Sequence, residues 1–256
     1  MKLTILGCSG GIGSGRHTTC FQVDDDILID AGTGITTLSF EQLLAIDHVF
    51  ITHSHLDHVL GLPLLLDAVG EKRSTPVVVH ALPEVLDILA ADLFNWRLWP
   101  DFRAIPSVAA PWVRFEPMTM GAGVTMGERS FIPLPVQHVV PACGFQISTP
   151  AGSLVFSGDT SRSDAFVAAL NAISDLRHLI IETSFENALA DIAQESQHHW
   201  PDSLAAELTG LSVHPEVWIT HLKPGNEAAI MEELRAAAPD WTLGMLWQGQ
   251  VIELAG

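Results

Sequence analysis

His48-Val-Phe-Ile-Thr-His-Ser-His-Leu-Asp-His58 is the stretch on which the fold and the chemistry both turn. An apolar run at residues 49–51 gives way to four metal-capable side chains within residues 53–58: His53, His55, Asp57 and His58. Imidazole nitrogen and carboxylate oxygen are good ligands for Zn²⁺. Extended backbone sends successive side chains to opposite sides, so His53 and His55 are expected to share one side. Asp57 and His58 come after the turn and are expected to face a second ion. One ion needs only three or four protein ligands, so the cluster reads as split between two. With 12 histidines in 256 residues, three within six positions is not what random placement produces.

The rest of the chain is apolar enough to build a core around such a site. Hydrophobic residues make up 48% of the 256, and mean hydropathy is +0.30, which excludes a disordered class. Lys+Arg is 12 against Asp+Glu 30, a formal net charge of −18. Such a surface repels long polyanions, whose binding needs a basic footprint; a small anion held by metal ions is still compatible. Cys8, Cys20 and Cys143 are scattered, odd in number and free of a C-x-x-C pattern, which points to a reducing, cytoplasmic setting. The first residues read as a short strand rather than a signal peptide. The apolar run at 59–66 is broken by Gly61 and Pro63, so no membrane span is expected.

Short apolar strands are predicted at residues 3–6, 21–23, 27–30, 49–52, 76–80, 112–117, 131–136, 217–220 and 251–254, with helices over 83–99, 163–172, 202–211 and 227–238. Their alternation gives an α/β or α+β class with mixed sheets. No Pro/Gly/Ser-rich linker divides the chain, so one domain over residues 1–256 is expected. Residues 7–15 hold five glycines and form a loop. Within it, Gly7-Cys-Ser-Gly-Gly11 matches G-x-S-x-G, but a nucleophile elbow turns from strand into helix, whereas here more glycine follows. The loop is expected instead to approach the metal edge. Asp24-Asp-Asp26 lacks the spacing of a calcium loop and reads as a solvated hairpin tip.

A faint repeat runs through the chain. Cys20-Phe-Gln-Val23 leads to Ile27-Leu-Ile-Asp30, and Gly144-Phe-Gln-Ile147 leads to Leu154-Val-Phe-Ser-Gly-Asp159. Asp30 precedes His53 by 23 positions, and Asp159 precedes Glu182 by the same 23. Two similar β-rich halves packed sheet to sheet would open their strand ends on one edge.

That edge needs more ligands than residues 53–58 supply. His138, Asp159 and His221 each follow a predicted buried strand, where side chains from separate segments converge. The expected division puts His53, His55 and His138 on one ion and Asp57, His58 and His221 on the other, with Asp159 bridging both.

With these residues in place, the chain resembles the metallo-β-lactamase superfamily: His53-x-His55-x-Asp57-His58, then His138, Gly158-Asp159-Thr160 and Ile219-Thr220-His221. More narrowly it resembles the class II cyclic-nucleotide phosphodiesterases, through His53-Ser-His-Leu-Asp-His58-Val-Leu-Gly-Leu62, Leu93-Phe-Asn-Trp-Arg-Leu-Trp-Pro-Asp-Phe102, His138-Val-Val-Pro141, Glu182-Thr-Ser-Phe185 and Ile219-Thr-His-Leu-Lys-Pro224. Pro63 departs from the family's aliphatic residue, and His198-His199-Trp200-Pro201 stands where the family has His-Leu-Thr-Pro.

The resemblance implies a four-layer αββα sandwich with a dinuclear site, zinc first and manganese or iron also suited. It implies hydrolysis of 3′,5′-cyclic nucleotides to 5′-nucleotides by a metal-bridging hydroxide. Asp57 would accept a hydrogen bond from that hydroxide. His198, with His199 second, would protonate the leaving group, and Glu182 would orient a ligand or the acid histidine. Trp96, Trp99 and Phe102 are candidates either for core packing or for stacking on a base. The expected partner is a small cyclic nucleotide, without long nucleic acid or membrane, and a homodimer fits the family. Rival readings are a tRNA 3′-processing endonuclease, a hydrolase of lactones, thioesters or β-lactams, and a non-catalytic metalloprotein.

Overall fold

Period-two burial separates the strands' side chains into two sets, and the layers follow from that. A computed structural model describes residues 1–254 of the chain. In the first half come β1 (Lys2–Gly7), β2 (Cys20–Val23), β3 (Ile27–Ile29), α1 (Phe40–Ala45), β4 (His48–Phe50), α2 (Leu56–Val59), α3 (Gly61–Val69), β5 (Val77–Ala81) and α4 (Pro83–Ile88). A minor hairpin of β6 (Pro106–Ser107) and β7 (Ala110–Pro111) precedes β8 (Val113–Pro117). The second half holds β9 (Val124–Met126), β10 (Arg129–Pro135), β11 (Cys143–Thr149), β12 (Gly152–Phe156), α5 (Asp164–Asn171), β13 (Leu176–Glu182), α6 (Ala190–Ser196), α7 (Pro201–Leu208), β14 (Glu216–Thr220), α8 (Glu227–Ala237) and β15 (Leu243–Met245). The last strand, β16 (Val251–Glu253), returns to pair with β1.

The strands form two seven-stranded sheets, ordered β16-β1-β2-β3-β4-β5-β8 and β9-β10-β11-β12-β13-β14-β15. Each begins with three antiparallel pairings and finishes with three parallel ones. The repeat seen in the sequence is therefore a repeat of topology: β2 corresponds to β11, β3 to β12 and β4 to β13. In β12, Leu154 and Phe156 point into the core between the sheets, while Val155 joins the opposite cluster. In β13, Ile180 points inward and Leu179 and Ile181 point outward. The outward residues pack against Phe166 and Leu170 of α5, Leu204 and Leu208 of α7, and Ile230 and Leu234 of α8. Leu62, Leu65, Leu66 and Val85 cover the other sheet from α3 and α4. The result is helices, sheet, sheet, helices, the αββα order expected.

Aromatic rings fasten the two sheets together. Phe50 of β4 stacks on Phe131 of β10 with centroids 4.1 Å apart and meets Phe145 of β11 edge-on at 5.7 Å. Phe21 meets Phe156 edge-on at 4.8 Å. Truncating a buried ring of this kind typically costs about 3–5 kcal/mol.

Two expectations need correction, on the helix over 83–99 and on the hairpin tip, and one pair of alternatives, for Trp96, Trp99 and Phe102, is resolved. The helix predicted over 83–99 ends early: regular α-helix stops at Ile88, and a widened turn runs over Leu89–Leu93. The Asn95 carboxamide oxygen then accepts from the backbone N–H groups of Arg97 and Leu98, and Trp96 takes φ +63°, so the chain leaves the helix. Phe102 is a core residue, packed with Phe94 and Trp112, and not a pocket wall; Trp99 packs against the same core and Trp96 is exposed. The hairpin tip at Asp24–Asp26 is not simply solvated, because Arg129 of the other sheet reaches across to Asp24 at 3.1 Å and to Asp26 at 2.5 Å. Among the described residues no helix is long and apolar enough to cross a membrane.

Candidate metal centre

Parallel strands end together on one edge, and side chains just past those ends are carried into a common space. His53 and His55 follow β4. Asp57 and His58 lie on α2, which starts at Leu56. His138 follows β10, Asp159 follows β12, Glu182 closes β13 and His221 follows β14. Ligand atoms of His53, His55, His138 and Asp159 lie within 4.8 Å of one another, as do those of Asp57, His58, Asp159 and His221. These are the two predicted sets, sharing Asp159. A third grouping on the same criterion joins Glu182, His198 and His221.

Individual distances show how tight the cluster is. Asp159 Oδ2 lies 3.6 Å from His53 Nε2 and 3.5 Å from His221 Nε2, and Asp159 Oδ1 lies 3.3 Å from His58 Nε2. His221 Nε2 is 3.2 Å from Asp57 Oδ2, and His138 Nε2 is 3.2 Å from His55 Nδ1. Close backbone approach makes this possible. A side chain at Gly10 would place its Cβ 2.4 Å from the His221 carbonyl oxygen and 2.9 Å from His221 Nδ1, so the glycine loop does come up against the cluster. Gly158 takes φ +62° immediately before Asp159, a conformation that favours glycine.

The donor set was tested against a divalent cation by its unsatisfied atoms. His53 Nε2, His58 Nε2 and Asp159 Oδ1 are buried and lack hydrogen-bond partners. Although His58 Nε2 and Asp159 Oδ1 are 3.3 Å apart, their orientation makes no hydrogen bond. Leaving buried polar atoms unpaired costs roughly 1–3 kcal/mol each, and a cation between them would satisfy all three. Burial also holds His53, His55 and His138 below the ordinary imidazole range, which favours the neutral form that ligates. The residues therefore fit divalent metal ions.

A supporting shell orients the donors. His58 Nδ1 donates to Asp30 Oδ2 at 2.7 Å, and Asp30 also accepts from the Thr52 backbone N–H at 2.8 Å. His138 Nδ1 donates to the Gln197 carbonyl at 3.1 Å, and the Ser184 hydroxyl lies 2.9 Å from His221 Nδ1. None of these supports was singled out from sequence. Asp30 had a signal through the equal Asp spacings of the repeat, and Ser184 stood without a role inside the motif Glu182-Thr-Ser-Phe185; Gln197 acts through its main chain.

His198 and His199 part ways. His198 Nδ1 lies 2.7 Å from Glu182 Oε1 and 4.0 Å from Asp159 Oδ2. Burial opposes the His198 cation, but the Glu182 and Asp159 carboxylates together outweigh it and raise the imidazole above its ordinary range. Glu182 is itself fully buried and accepts from the Thr160 N–H at 3.1 Å and the Ser184 hydroxyl at 3.1 Å. His199 turns away into α7, where its Nδ1 meets the Ser203 hydroxyl at 2.9 Å.

A family profile described as the beta-lactamase superfamily domain matches residues 25–238. The chain belongs to that superfamily. Ribonuclease Z of Bradyrhizobium sp. (strain ORS 278) is 35% identical over 135 residues, covering 49% of this chain and 41% of the relative. A probable 3′,5′-cyclic-nucleotide phosphodiesterase of Yersinia pestis is 27% identical over 205 residues, covering 70% of this chain and 58% of the relative. The chain thus spans about half the length of these curated relatives. The crystal structure of unliganded yeast PDE1 superimposes with a TM-score of 0.84 at 20% identity, covering 98% of each chain. That likeness identifies the fold.

Proposed function

We propose that the protein hydrolyses small phosphodiesters, with 3′,5′-cyclic nucleotides as substrates and 5′-nucleotides as products. The observation that carries this reading is a buried His/Asp cluster beside the His198–Glu182 pair on a chain of net charge −18. Lys223 is the one Lys or Arg on the segments at 53–58, 157–160, 182–185, 198–199 and 220–224. A long polyanion needs several phosphate-neutralising contacts; a cyclic nucleotide brings a single negative charge. The Yersinia pestis relative, described as a phosphodiesterase of this kind, aligns over 70% of the chain.

His53, His55 and His138 would hold one divalent ion, and Asp57, His58 and His221 a second, with Asp159 shared. Zinc suits this donor set, as do manganese and iron. Such ions, when bound, supply a water that is nucleophilic near neutral pH and positive charge against the phosphoryl oxygens. Asp57 accepts a hydrogen bond from the attacking water and aligns it. His198 gives its Nδ1–H to Glu182, which fixes the ring and leaves Nε2 to carry the proton for the leaving 3′-oxygen. Glu182 acts through His198 as a positioning residue.

Cleavage of precursor tRNA is the second reading, favoured by the 35% identity to a ribonuclease Z. Metal-loaded protein assayed on cyclic AMP, cyclic GMP and precursor tRNA separates the two. Turnover of a cyclic nucleotide with none of tRNA is expected. The reverse pattern overturns the proposal.

A further inference from the structure

A second concave site lies beside the glycine loop; none of its lining side chains is a predicted metal ligand, although Leu222 adjoins His221. Its volume is about 650 Å³, within the range that takes small organic ligands. Buried core residues Leu222, Met231 and Leu246 lie beneath the cavity and show only a sliver of surface to it, and Trp247 stands at its margin with 55% of its surface exposed. Trp247 meets Trp218 edge-on with centroids 6.3 Å apart, and its remaining exposed surface is apolar area that a flat ring can cover.

The charges around the cavity run against the character of the chain. On a molecule of net charge −18, its charged lining is Arg16, Arg235 and Glu227. Arg16 is paired with Glu227. Arg235 is exposed and takes part in no ion pair or side-chain hydrogen bond among the described residues. Glu227, Met231 and Arg235 recur every four residues along α8, so one helix face carries the paired acid, the buried Met231 and the free guanidinium. A flat apolar wall beside one uncompensated cation matches a planar ring that bears one negative charge.

We infer that this cavity binds a planar aromatic monoanion, with the ring against Trp247 and the anionic group on Arg235. The site is distinct from the His/Asp cluster, and its occupancy does not depend on the phosphodiesterase reading. Titration calorimetry with 2-naphthoate on the metal-loaded protein tests it, with cyclohexanecarboxylate as an anion that lacks the flat ring. Saturable binding of naphthoate, and weaker binding of cyclohexanecarboxylate, is expected. Trp247→Ala and Arg235→Glu should each weaken naphthoate binding by about tenfold or more, the scale of losing a stacked ring or a charge-assisted bond. Metal content and phosphodiester turnover should stay unchanged in both variants. Absence of saturable binding up to about 5 mM, an affinity indifferent to both substitutions, or a dimer that Trp247→Ala dissociates in sedimentation would each overturn the inference; the last would make a second copy of the chain the occupant.

Discussion

The two halves of the molecule use one topology for two chemistries. Asp30 comes directly after β3, whereas after the equivalent strand β12 that place is taken by Ser157 and Asp159 stands two residues further on. Asp30 turns inward, where it holds His58 at 2.7 Å and the Thr52 backbone. Asp159 turns to the cluster and stands within 3.6 Å of three histidines. Downstream, the first half presents His53, His55, Asp57 and His58. The second presents Glu182, which is buried and committed to His198. A duplicated scaffold can thus place a support in one copy and a shared ligand in the other, because the acid directly at a strand end and the acid two residues beyond it are carried to different surroundings.

The sharpest way to break this contrast is to remove the acid of the second half. Asp159→Ala should abolish measurable turnover and release metal, since both predicted sets share that carboxylate; metal analysis and steady-state kinetics check it. Next in size, His198→Ala should lower kcat by roughly 10²–10⁴ while metal content is retained. An unchanged rate would move the proton-donor role elsewhere. The matching change in the first half, Asp30→Asn, should be milder: metal affinity falls by about 10–100-fold, as for other groups that orient a ligand, and activity recovers at high metal. Were Asp30→Asn as severe as Asp159→Ala, the division between support and ligand would be wrong.

The smallest effect concerns the tie between halves. Arg129→Met removes the bridge from β10 to Asp24 and Asp26. Partial exposure limits the loss to at most about 1 kcal/mol in denaturant unfolding. Arg129 holds the Asp26 carboxyl below its usual range by hydrogen bond and charge, against a smaller cost of burial. The contribution is therefore present above the ordinary carboxylate range and lost as pH falls through the lowered folded value. Wild type and variant should converge in stability in acid and diverge near neutrality.

Much of this was legible in the residues. The ligands at 53–58 announce themselves because four donors crowd one strand end, and the repeat was visible through Phe21-Gln22 and Phe145-Gln146 and the equal Asp spacings. The expected αββα layering follows from that pattern. What escaped depends on contacts between distant segments or on main-chain atoms. Arg129 lies 103 positions from Asp26. The Gln197 carbonyl that holds His138 is the same in any residue. The helix over 83–99 keeps its apolar pattern past Ile88, but a local side-chain cap at Asn95 overrides periodicity.

The central claim is that the two halves meet in one site for two ions. Inductively coupled plasma analysis of protein loaded with Zn²⁺ or Mn²⁺ and freed of excess metal tests it most directly. About two ions per chain are expected, falling in Asp159→Ala, because the carboxylate belongs to both predicted sets. No more than about one ion in the loaded wild type would contradict the account.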